Sequence, residues 1–288
     1  MAKDTLQTFS FDNTDIRGAI VTLDTSFAKL VDGSHYNAEQ HQLLGQFCAA
    51  NLLLTSHLKL DGLLSIQARG NGPVDLIVSE ATHDLTFRGL LAGEVDEQHD
   101  LLALLGDATL VISVEPENGQ RYQGIVPLDH SDLAGCLQSY FQQSEQLPSW
   151  FAFNVTEEHV RGVMLQALPA DRCADLQQRA EDWQRITHLA STLSDQEMQD
   201  LDNETLLYRL YHEEQLRLYD AKPVDFRCSC SRERMERGLL SLGETELNDI
   251  LNEQEAIETD CHFCYQRYAF TAADVRALIS GNHYQKTH

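Results

Sequence analysis

Four of the seven cysteines in this 288-residue chain form two close pairs near its C-terminal end. The first pair is Cys228-Ser229-Cys230, and the second, Cys261-His262-Phe263-Cys264, follows after thirty intervening residues. A structural zinc ion takes four ligands at tetrahedral corners, and two cysteine pairs brought together by folding supply them. The spacing therefore predicts a metal site made of these four thiolates.

The first pair differs from common structural zinc sites, because only one residue separates its cysteines. A disulfide between Cys228 and Cys230 would close a small, strained ring, and strained disulfides tend to be labile and regulatory. Arginines near the pairs in sequence favour the thiolate form, which binds metals and reacts with oxidants. These arginines are Arg227, Arg232, Arg234, Arg237 and Arg267. Three interpretations remain open: a purely structural zinc knuckle, a zinc–thiolate redox switch, and a metal-free dithiol.

The remaining cysteines and one histidine are weaker candidates for chemistry. Cys48 and Cys136 lie in helical apolar patterns and Cys173 stands alone, so we expect all three to be buried, inert thiols. His262 could replace a thiolate as a metal ligand, but four cysteines already complete a tetrahedron.

The charge of the chain excludes several classes of partner. The formal net charge is −24, from 21 basic and 45 acidic residues, which argues against binding nucleic acid. The first residues lack the apolar run of a signal peptide, and no stretch of about 18 apolar residues could span a bilayer. We therefore expect a cytoplasmic protein without a membrane partner. In that reducing compartment, paired cysteines bind metal or do redox chemistry more often than they form permanent disulfides.

Residues 1–174 are predicted to form an N-terminal α+β domain with a mostly antiparallel sheet packed with helices. The apolar run at 20–23 indicates an opening strand within residues 1–36. Helical spacing of leucines predicts a helix from Asn37 to about Leu60, and a second from Ser131, its predicted cap, to about Leu147. Further strands are predicted from short apolar runs between turn residues. They cover residues 63–69, 74–78, 85–88, 109–114, 122–126, 150–155 and 160–168.

Residues 175–222 are predicted to be an acidic helical linker, and residues 223–288 a small, mostly helical zinc-binding domain. Residues 175–225 contain twelve acidic and five basic residues and no glycine, and their apolar stripe is thin. Such a composition permits a metastable helix that unfolds when it loses the neighbour it packs against, or an ordinary solvated connector. The last 65 or so residues contain too few apolar side chains to fold strongly without a metal.

Several segments resemble motifs of one known family, the 33 kDa chaperonins, which are the heat shock protein 33 homologs of bacteria. The cysteine arrangement matches that family, and the likeness extends over the whole chain. The other matching segments, in family order, are 70–73 with 88–89, 122–128, 140–148 and 164–169. The chain departs from the family at Arg161-Gly162-Val163, where a more glycine-rich turn is expected.

The resemblance implies a redox-regulated, ATP-independent holdase, a binding protein and not an enzyme. It implies one zinc ion per chain in the reduced state, held by Cys228, Cys230, Cys261 and Cys264. Oxidation would form the disulfides Cys228–Cys230 and Cys261–Cys264 and release the zinc. The linker would then unfold and expose apolar surface that binds unfolded client proteins. The activated protein would be a homodimer.

Two other functions compete with this interpretation. A thiol–disulfide oxidoreductase would use an exposed Cys-x-x-Cys on a βαβ scaffold, and turnover of a disulfide substrate would favour it. A zinc-ribbon nucleic-acid binder would show salt-sensitive binding of oligonucleotides, which the net charge of −24 opposes.

Overall fold

The computed structural model describes residues 4–58, 61–95, 100–157 and 159–286. The chain divides into two compact units, Met1–Arg227 and Cys228–His288. The predicted three-part division at residues 174 and 222 stays a prediction. In the described part of the chain, every helix is too short or too polar to cross a lipid bilayer.

The first unit contains two six-stranded sheets, and most neighbouring strands in both are antiparallel. In spatial order, the first sheet consists of β10 (Leu216–Leu218), β1 (Thr5–Phe11), β2 (Ile16–Leu23), β9 (Val160–Ala167) and β8 (Ser149–Val155), and β11 (Lys222–Pro223) also pairs with β1. The second consists of β12 (Asp225–Phe226), β5 (Thr86–Gly93), β4 (Val74–Thr82), β3 (Gly62–Arg69), β6 (Thr109–Pro116) and β7 (Tyr122–Val126). The pairing of β12 with β5 is parallel. The predicted α+β class with a mostly antiparallel sheet is therefore confirmed.

Helix α2 (Ala38–Thr55) lies between the two sheets and contacts strands of both. Thirteen of its eighteen residues are buried, as expected for a helix that is apolar on nearly every side. Asn37 begins it with a capping box, in which its side chain and that of Gln40 each accept the other's backbone N–H. At Gly162 of β9, a Cβ atom would lie only 3.0 Å from Leu53, so glycine permits the close approach of α2.

The alternation of side chains gives the first sheet two apolar faces. On β2, Ala19 and Val21 pack in the main core with α2, whereas Ile16 and Ile20 point to the opposite face. That opposite face is covered by three helices, α5 (Leu176–Ala190), α6 (Asp195–Asp200) and α7 (Asn203–Tyr211). We call the buried residues between sheet and helices the outer cluster. Its members are Phe9, Phe11, Ile16, Ile20, Val163, Leu165, Ile186, Ala190, Met198, Leu206, Leu207, Leu210 and Tyr211.

The predicted linker is thus helical, and its apolar stripe packs on a sheet. The predicted stripe included Leu176 and Leu206. Leu206 is buried as expected, whereas Leu176 is 79% exposed and Ile186, which was not predicted, is buried. After α7 the chain adds β10 and β11 to the edge strand β1 and then pairs β12 with β5. These short strands fasten the end of the segment to both sheets.

Three helix boundaries differ from the prediction. The second predicted helix begins at Leu133 and not beside Ser131, because the carboxylate of Asp132 accepts the backbone N–H of Gly135 and caps it. This helix, α4, ends at Tyr140 and continues as one π-helical turn, Phe141–Glu145. Helix α2 ends at Thr55, and the predicted end at Leu60 lies outside the described residues. The opening segment contains β1 and helix α1 (Thr25–Val31) beside the expected strand, and α3 (Leu101–Leu105) was not predicted.

The second unit contains three helices and one hairpin. The helices are α8 (Arg232–Leu242), α9 (Glu244–Glu253) and α10 (Ala272–Lys286), and the hairpin consists of β13 (Ala256–Asp260) and β14 (Arg267–Thr271). Its buried apolar cluster, the small cluster, consists of Leu239, Leu247, Ile257, Phe270 and Val275. The unit is mostly helical, as predicted, although the hairpin was not foreseen.

Candidate metal centre

The four predicted ligands come from two short segments of the second unit. Cys228 and Cys230 immediately precede α8, which begins where the hydroxyl of Ser231 accepts the backbone N–H of Arg234. Cys261 and Cys264 lie in the turn between β13 and β14. That turn is closed by the N–H of Tyr265 donating to the carbonyl of Cys261 at 2.8 Å. Both segments therefore have a defined backbone that can present sulfur atoms to one point.

The structure brings all four predicted sulfur atoms together, and each lies within 4.8 Å of the others. The two shortest distances cross between the pairs: Cys228 Sγ to Cys261 Sγ is 3.7 Å, and Cys230 Sγ to Cys264 Sγ is 3.4 Å. With Zn–S bonds of ~2.3 Å, a tetrahedron has edges of about 3.8 Å. The donor set and its dimensions therefore fit a tetrahedral zinc ion.

The sulfurs do not share one electrostatic environment. Burial raises the pKa of Cys228 and of Cys264. Burial opposes ionisation of Cys230 too, but the hydroxyl of Tyr268, 3.2 Å from its sulfur, and the neighbouring thiols lower its pKa overall. Cys261 is only 4% exposed, whereas the other three are partly exposed. The cluster can thus be reached by a small oxidant from the side of Cys228, Cys230 and Cys264.

The arginines near the cluster have a different role from the one expected. Arg232 donates to the carbonyl of Ala269 at 2.9 Å, forms an ion pair with Asp274 at 3.2 Å, and lies 4.3 Å from the ring centre of Phe270. Arg267 pairs with Asp260 at 3.2 Å. Arg234 donates to the hydroxyl of Ser229 at 2.6 Å, between the first two cysteines. These residues therefore hold the segments in place, and Tyr268 is the residue that contacts a sulfur.

Comparison with known proteins agrees with the cysteine geometry. The family model described as Hsp33 protein matches residues 4–271. A 33 kDa chaperonin of Pseudomonas aeruginosa is 45% identical over 282 residues, which cover 96% of this chain and 95% of that protein. The chain belongs to the Hsp33 family.

Other Hsp33 proteins extend the comparison. The 33 kDa chaperonin of Azotobacter vinelandii is 44% identical over 96% of this chain and 95% of its own. The crystal structure of the 33 kDa chaperonin of Thermotoga maritima superposes with a TM-score of 0.83 at 22% identity, covering 97% of this chain and 99% of that one. This last likeness shows the fold alone. The curated relatives are named chaperonins, which agrees with the prediction of a binding protein and not an enzyme.

The alternatives for the Hsp33 cysteines can now be judged. The Cys-x-x-Cys pair lies in the turn of a two-stranded hairpin, and not on the βαβ scaffold that an oxidoreductase of the predicted kind would use. His262 is exposed and does not belong to the cluster of candidate ligands found among the described residues.

The cysteines outside the cluster divide into two kinds. Cys48 and Cys136 are fully buried, as predicted, and burial raises the pKa of Cys48 to about 12. Cys173 was expected to be buried but is partly exposed, because it lies in the loop before α5.

Sequence reasoning missed Tyr268 as a neighbour of the Hsp33 cysteines. The alternation Tyr268, Phe270 on β14 is a signal for it, since both side chains point to the side of the hairpin that packs on the small cluster. Recognising that signal requires the hairpin register, in which Asp260 lies opposite Arg267, and the sequence did not predict the hairpin.

Proposed function

We propose that this protein is a redox-regulated, ATP-independent holdase of the cytoplasm, which binds unfolding client proteins and prevents their aggregation. Membership of the Hsp33 family supports the chaperone part of the proposal. One observation carries the regulatory part: four cysteine sulfurs lie within 4.8 Å of one another in a unit whose buried apolar cluster has five residues.

In the reduced protein, Cys228, Cys230, Cys261 and Cys264 hold one zinc ion per chain. A zinc ion held by these four residues would link the start of α8 to the β13–β14 turn, and structural zinc contributes on the order of 10 kcal/mol to folding. The small cluster alone does not offset the cost of ordering the unit. Its five members contribute about 7–15 kcal/mol at about 1.5–3 kcal/mol each, whereas fixing the backbone costs about 1–2 kcal/mol for every ordered residue. Folding of residues 228–286 therefore depends on the four thiolates.

An oxidant converts the thiol pairs into the disulfides Cys228–Cys230 and Cys261–Cys264. Each pair of thiolates loses two electrons, and one hypochlorous acid accepts them together with one proton from the solvent and becomes chloride and water. Once both disulfides have formed, the cluster contains no thiolate and offers a metal no strong ligand. All four sulfurs lie within 4.8 Å of one another, so a disulfide could form within each sequence pair or between the two pairs. The family resemblance favours disulfides within each sequence pair.

Client binding uses the face of the first sheet that α5, α6 and α7 cover in the closed protein. Only Arg227 separates β12 from Cys228, so unfolding of the metal unit acts directly on the strands that fasten the 175–222 segment. Release of that segment exposes the sheet side of the outer cluster, including Phe9, Phe11 and Leu165. An exposed apolar surface of this kind binds unfolded chains. The activated protein is a homodimer, and residues 1–174, 175–222 and 223–288 act as chaperone core, metastable linker and redox-sensing domain.

The decisive experiment follows zinc release and client protection in one sample. Reduced, zinc-loaded protein is treated with hypochlorous acid and then with a thiol reductant. A chromogenic chelator reports zinc, light scattering of heat-unfolding luciferase reports protection, and peptide mass mapping reports the disulfides. We expect protection to rise as zinc is released and to fall again after reduction, with a doubling of mass in multi-angle light scattering.

Cys173→Ser provides the matched control, because Cys173 is partly exposed and lies outside the cluster. This variant should respond to the oxidant as the parent does. Full protection by reduced, zinc-loaded protein, unchanged on oxidation, would contradict the proposed regulation. Absence of protection in every redox state would contradict the chaperone activity itself.

A further inference from the structure

One cation is buried beneath the helices that cover the first sheet. Arg161 on β9 is 3% exposed and alternates with Val163 and Leu165, two members of the outer cluster, so its side chain leaves the sheet on the helix-covered face. Burying a guanidinium is unfavourable unless it is hydrogen-bonded. The contacts of Arg161 therefore show what keeps it there.

The contacts of Arg161 are made to the covering segment. Its Nη1 donates to the backbone carbonyl of Met198 at 2.9 Å and also to that of Leu201. Its Nη2 donates to the side-chain oxygen of Asn203. These acceptors lie at the end of α6 and the start of α7, where the last carbonyls of a helix have no partner within the helix. One side chain of the sheet thus satisfies three acceptors of the segment that covers it.

The guanidinium keeps its charge in this position. Burial lowers the pKa of Arg161 to about 10, while the carboxylates of Asp202 and Asp24 favour its charged form. At neutral pH it is therefore protonated. Hydrogen bonds to a charged group are among the stronger ones, and the carbonyls of Met198 and Leu201 would lose this charged donor if the side chain were truncated.

A cavity with several charged residues in its lining lies beside Arg161. The cavity has a volume of about 540 Å³, and Arg161, Asp24, Asp200, Asp202 and Glu204 contribute to its lining. When the helices leave, Asp200, Asp202 and Glu204 leave with them, and water and Asp24 on the sheet side can solvate the guanidinium. The same residue can therefore hold the closed state without preventing the open one.

The rest of the segment is held at its ends. The ion pair of Arg179 with Asp15 fastens the start of α5 to the β1–β2 turn, and the ion pair of Arg185 with Glu214 joins α5 to the end of α7 at 2.7 Å. Between these ties, α6 reaches the sheet through Met198 in the outer cluster and through Arg161.

We propose that Arg161 is an autoinhibitory clasp, which holds α6 and the start of α7 closed over the client-binding face and so sets how readily the chaperone activates. This inference rests on the proposed function, in which release of the 175–222 segment uncovers that face. In this proposal the closed state is stabilised by a polar contact as well as by the metal centre. Weakening the clasp therefore activates the protein while the metal is still bound.

The test compares Arg161→Met with Arg17→Met in reduced, zinc-loaded protein. Arg17 lies on β2 of the same sheet, but its side chain is on the α2 side and donates to Gln166 at 2.7 Å. Arg17→Met therefore makes the same arginine-to-methionine change at a residue that does not contact the 175–222 segment. Hydrogen exchange read by mass spectrometry reports opening of α6 and α7, and zinc content is measured in parallel. We expect exchange in 195–211 to become about tenfold faster or more in Arg161→Met, with α2 and zinc content unchanged. Arg17→Met should exchange like the parent.

Two further variants distinguish opening of the segment from a general loss of folding. Asn203→Ala removes one acceptor of Arg161 and also the hydrogen bond that Asn203 donates to Gln7 of β1 at 3.0 Å. The carbonyls of Met198 and Leu201 still accept from the buried cation, so this variant should open 195–211 to a smaller extent. Arg161→Lys keeps the charge but not the planar fork, and should restore part of the closure. Fluorescence of the two tryptophans, Trp150 and Trp183, both packed against the outer cluster, should shift to the red in proportion to opening.

The outcomes separate the clasp from the proposed function. Reduced Arg161→Met should protect luciferase several-fold better than the reduced parent. Unchanged exchange in 195–211 would overturn the clasp, whatever the chaperone assays show. Faster exchange without protection by the reduced variant, while the oxidised parent protects, would overturn its autoinhibitory role. Faster exchange with no protection by any form would leave the clasp standing as a contact and overturn the proposed function.

Discussion

The two compact units of this chain are stabilised in different ways. The first has a main core that extends through both sheets and α2, and an outer cluster on the opposite face of the first sheet. In the second, five apolar residues are buried, while four sulfurs converge within 4.8 Å of one another. The difference supports the proposed function, in which oxidation unfolds the second unit and releases the 175–222 segment while the main core stays folded. A core of hydrocarbon does not respond to oxidant or chelator, whereas a cluster of thiolates responds to both.

Metal removal is the strongest way to challenge this comparison. Chelation of the reduced protein should unfold residues 228–286, because structural zinc contributes on the order of 10 kcal/mol and the small cluster cannot replace it. Hydrogen exchange should reach the unprotected rate in α8 and α9 and stay slow in α2 and β9. The variant with serine at all four cysteine positions should behave as the chelated parent does. Retained protection of α8 and α9 in that variant would show that the small cluster folds by itself.

The cysteine cluster was predictable from the sequence because cysteine spacing is a local signal. Two pairs with one and two intervening residues define a tetrahedral donor set wherever folding brings them together, and the structure does so for Cys228, Cys230, Cys261 and Cys264. Most strands of the first unit were predictable for a similar reason, since their apolar runs end at turn residues. The interior of α2 was predictable from its leucine spacing, and its start at Asn37 from the cap.

What the sequence could not predict depends on contacts between distant segments. Arg161 lies among apolar residues of β9, and nothing near it in sequence indicates that its acceptors come from residues 198–203. The apolar stripe of α5 was misplaced at Leu176, because the helix turns Ile186 and Ala190 to the sheet and leaves its first residue exposed. The β13–β14 hairpin was missed because each of its strands has five residues and mixed polarity.

Truncating one buried leucine in each unit tests the difference between the units with a smaller expected effect than metal removal. Leu44 in the main core is 0% exposed and Leu247 in the small cluster is 1% exposed, so each change to alanine should cost about 2–5 kcal/mol. In Leu44→Ala that cost should lower the free energy of unfolding of the first unit and leave zinc affinity unchanged. In Leu247→Ala it should weaken zinc binding by about 30-fold or more, because folding of the second unit and metal binding are one event. Competition with a chelator of known affinity measures the second effect, and urea unfolding measures the first.

Equal zinc affinity in Leu247→Ala and the parent would contradict that coupling. The Leu44→Ala variant then serves as the control for a general effect of core truncation on metal binding.

Acid should weaken both units, for different reasons. Below neutral pH, protons compete with the metal for the thiolates of the second unit. In the first unit one responsible group is His57, just after α2, whose Nε2 is buried and has no partner among the described residues. Burial, and then the charge of Arg17, lower the pKa of His57 from 6.5 to about 3.

The sign of the effect of His57 follows from which form the fold favours. The folded unit keeps the imidazole neutral, whereas the unfolded chain takes up a proton as the pH falls through 6.5. Stability from this residue is therefore complete above pH 6.5 and is lost progressively as the pH falls toward about 3. Between pH 7 and pH 5 the loss should be about 1–2 kcal/mol, since His57 is partly exposed.

The variant His57→Gln tests this difference between the units, because it removes the titrating group of the first unit and leaves the thiolates of the second in place. Urea unfolding of the first unit at pH 7, 6 and 5 should show a smaller loss of stability in His57→Gln than in the parent. Zinc release over the same pH range should be the same in both proteins. His188→Gln is the control, since His188 is exposed on α5. If the pH dependence of unfolding in His57→Gln equals that of the parent, His57 does not cause the acid response of the first unit. Another titrating group of that unit would then be responsible.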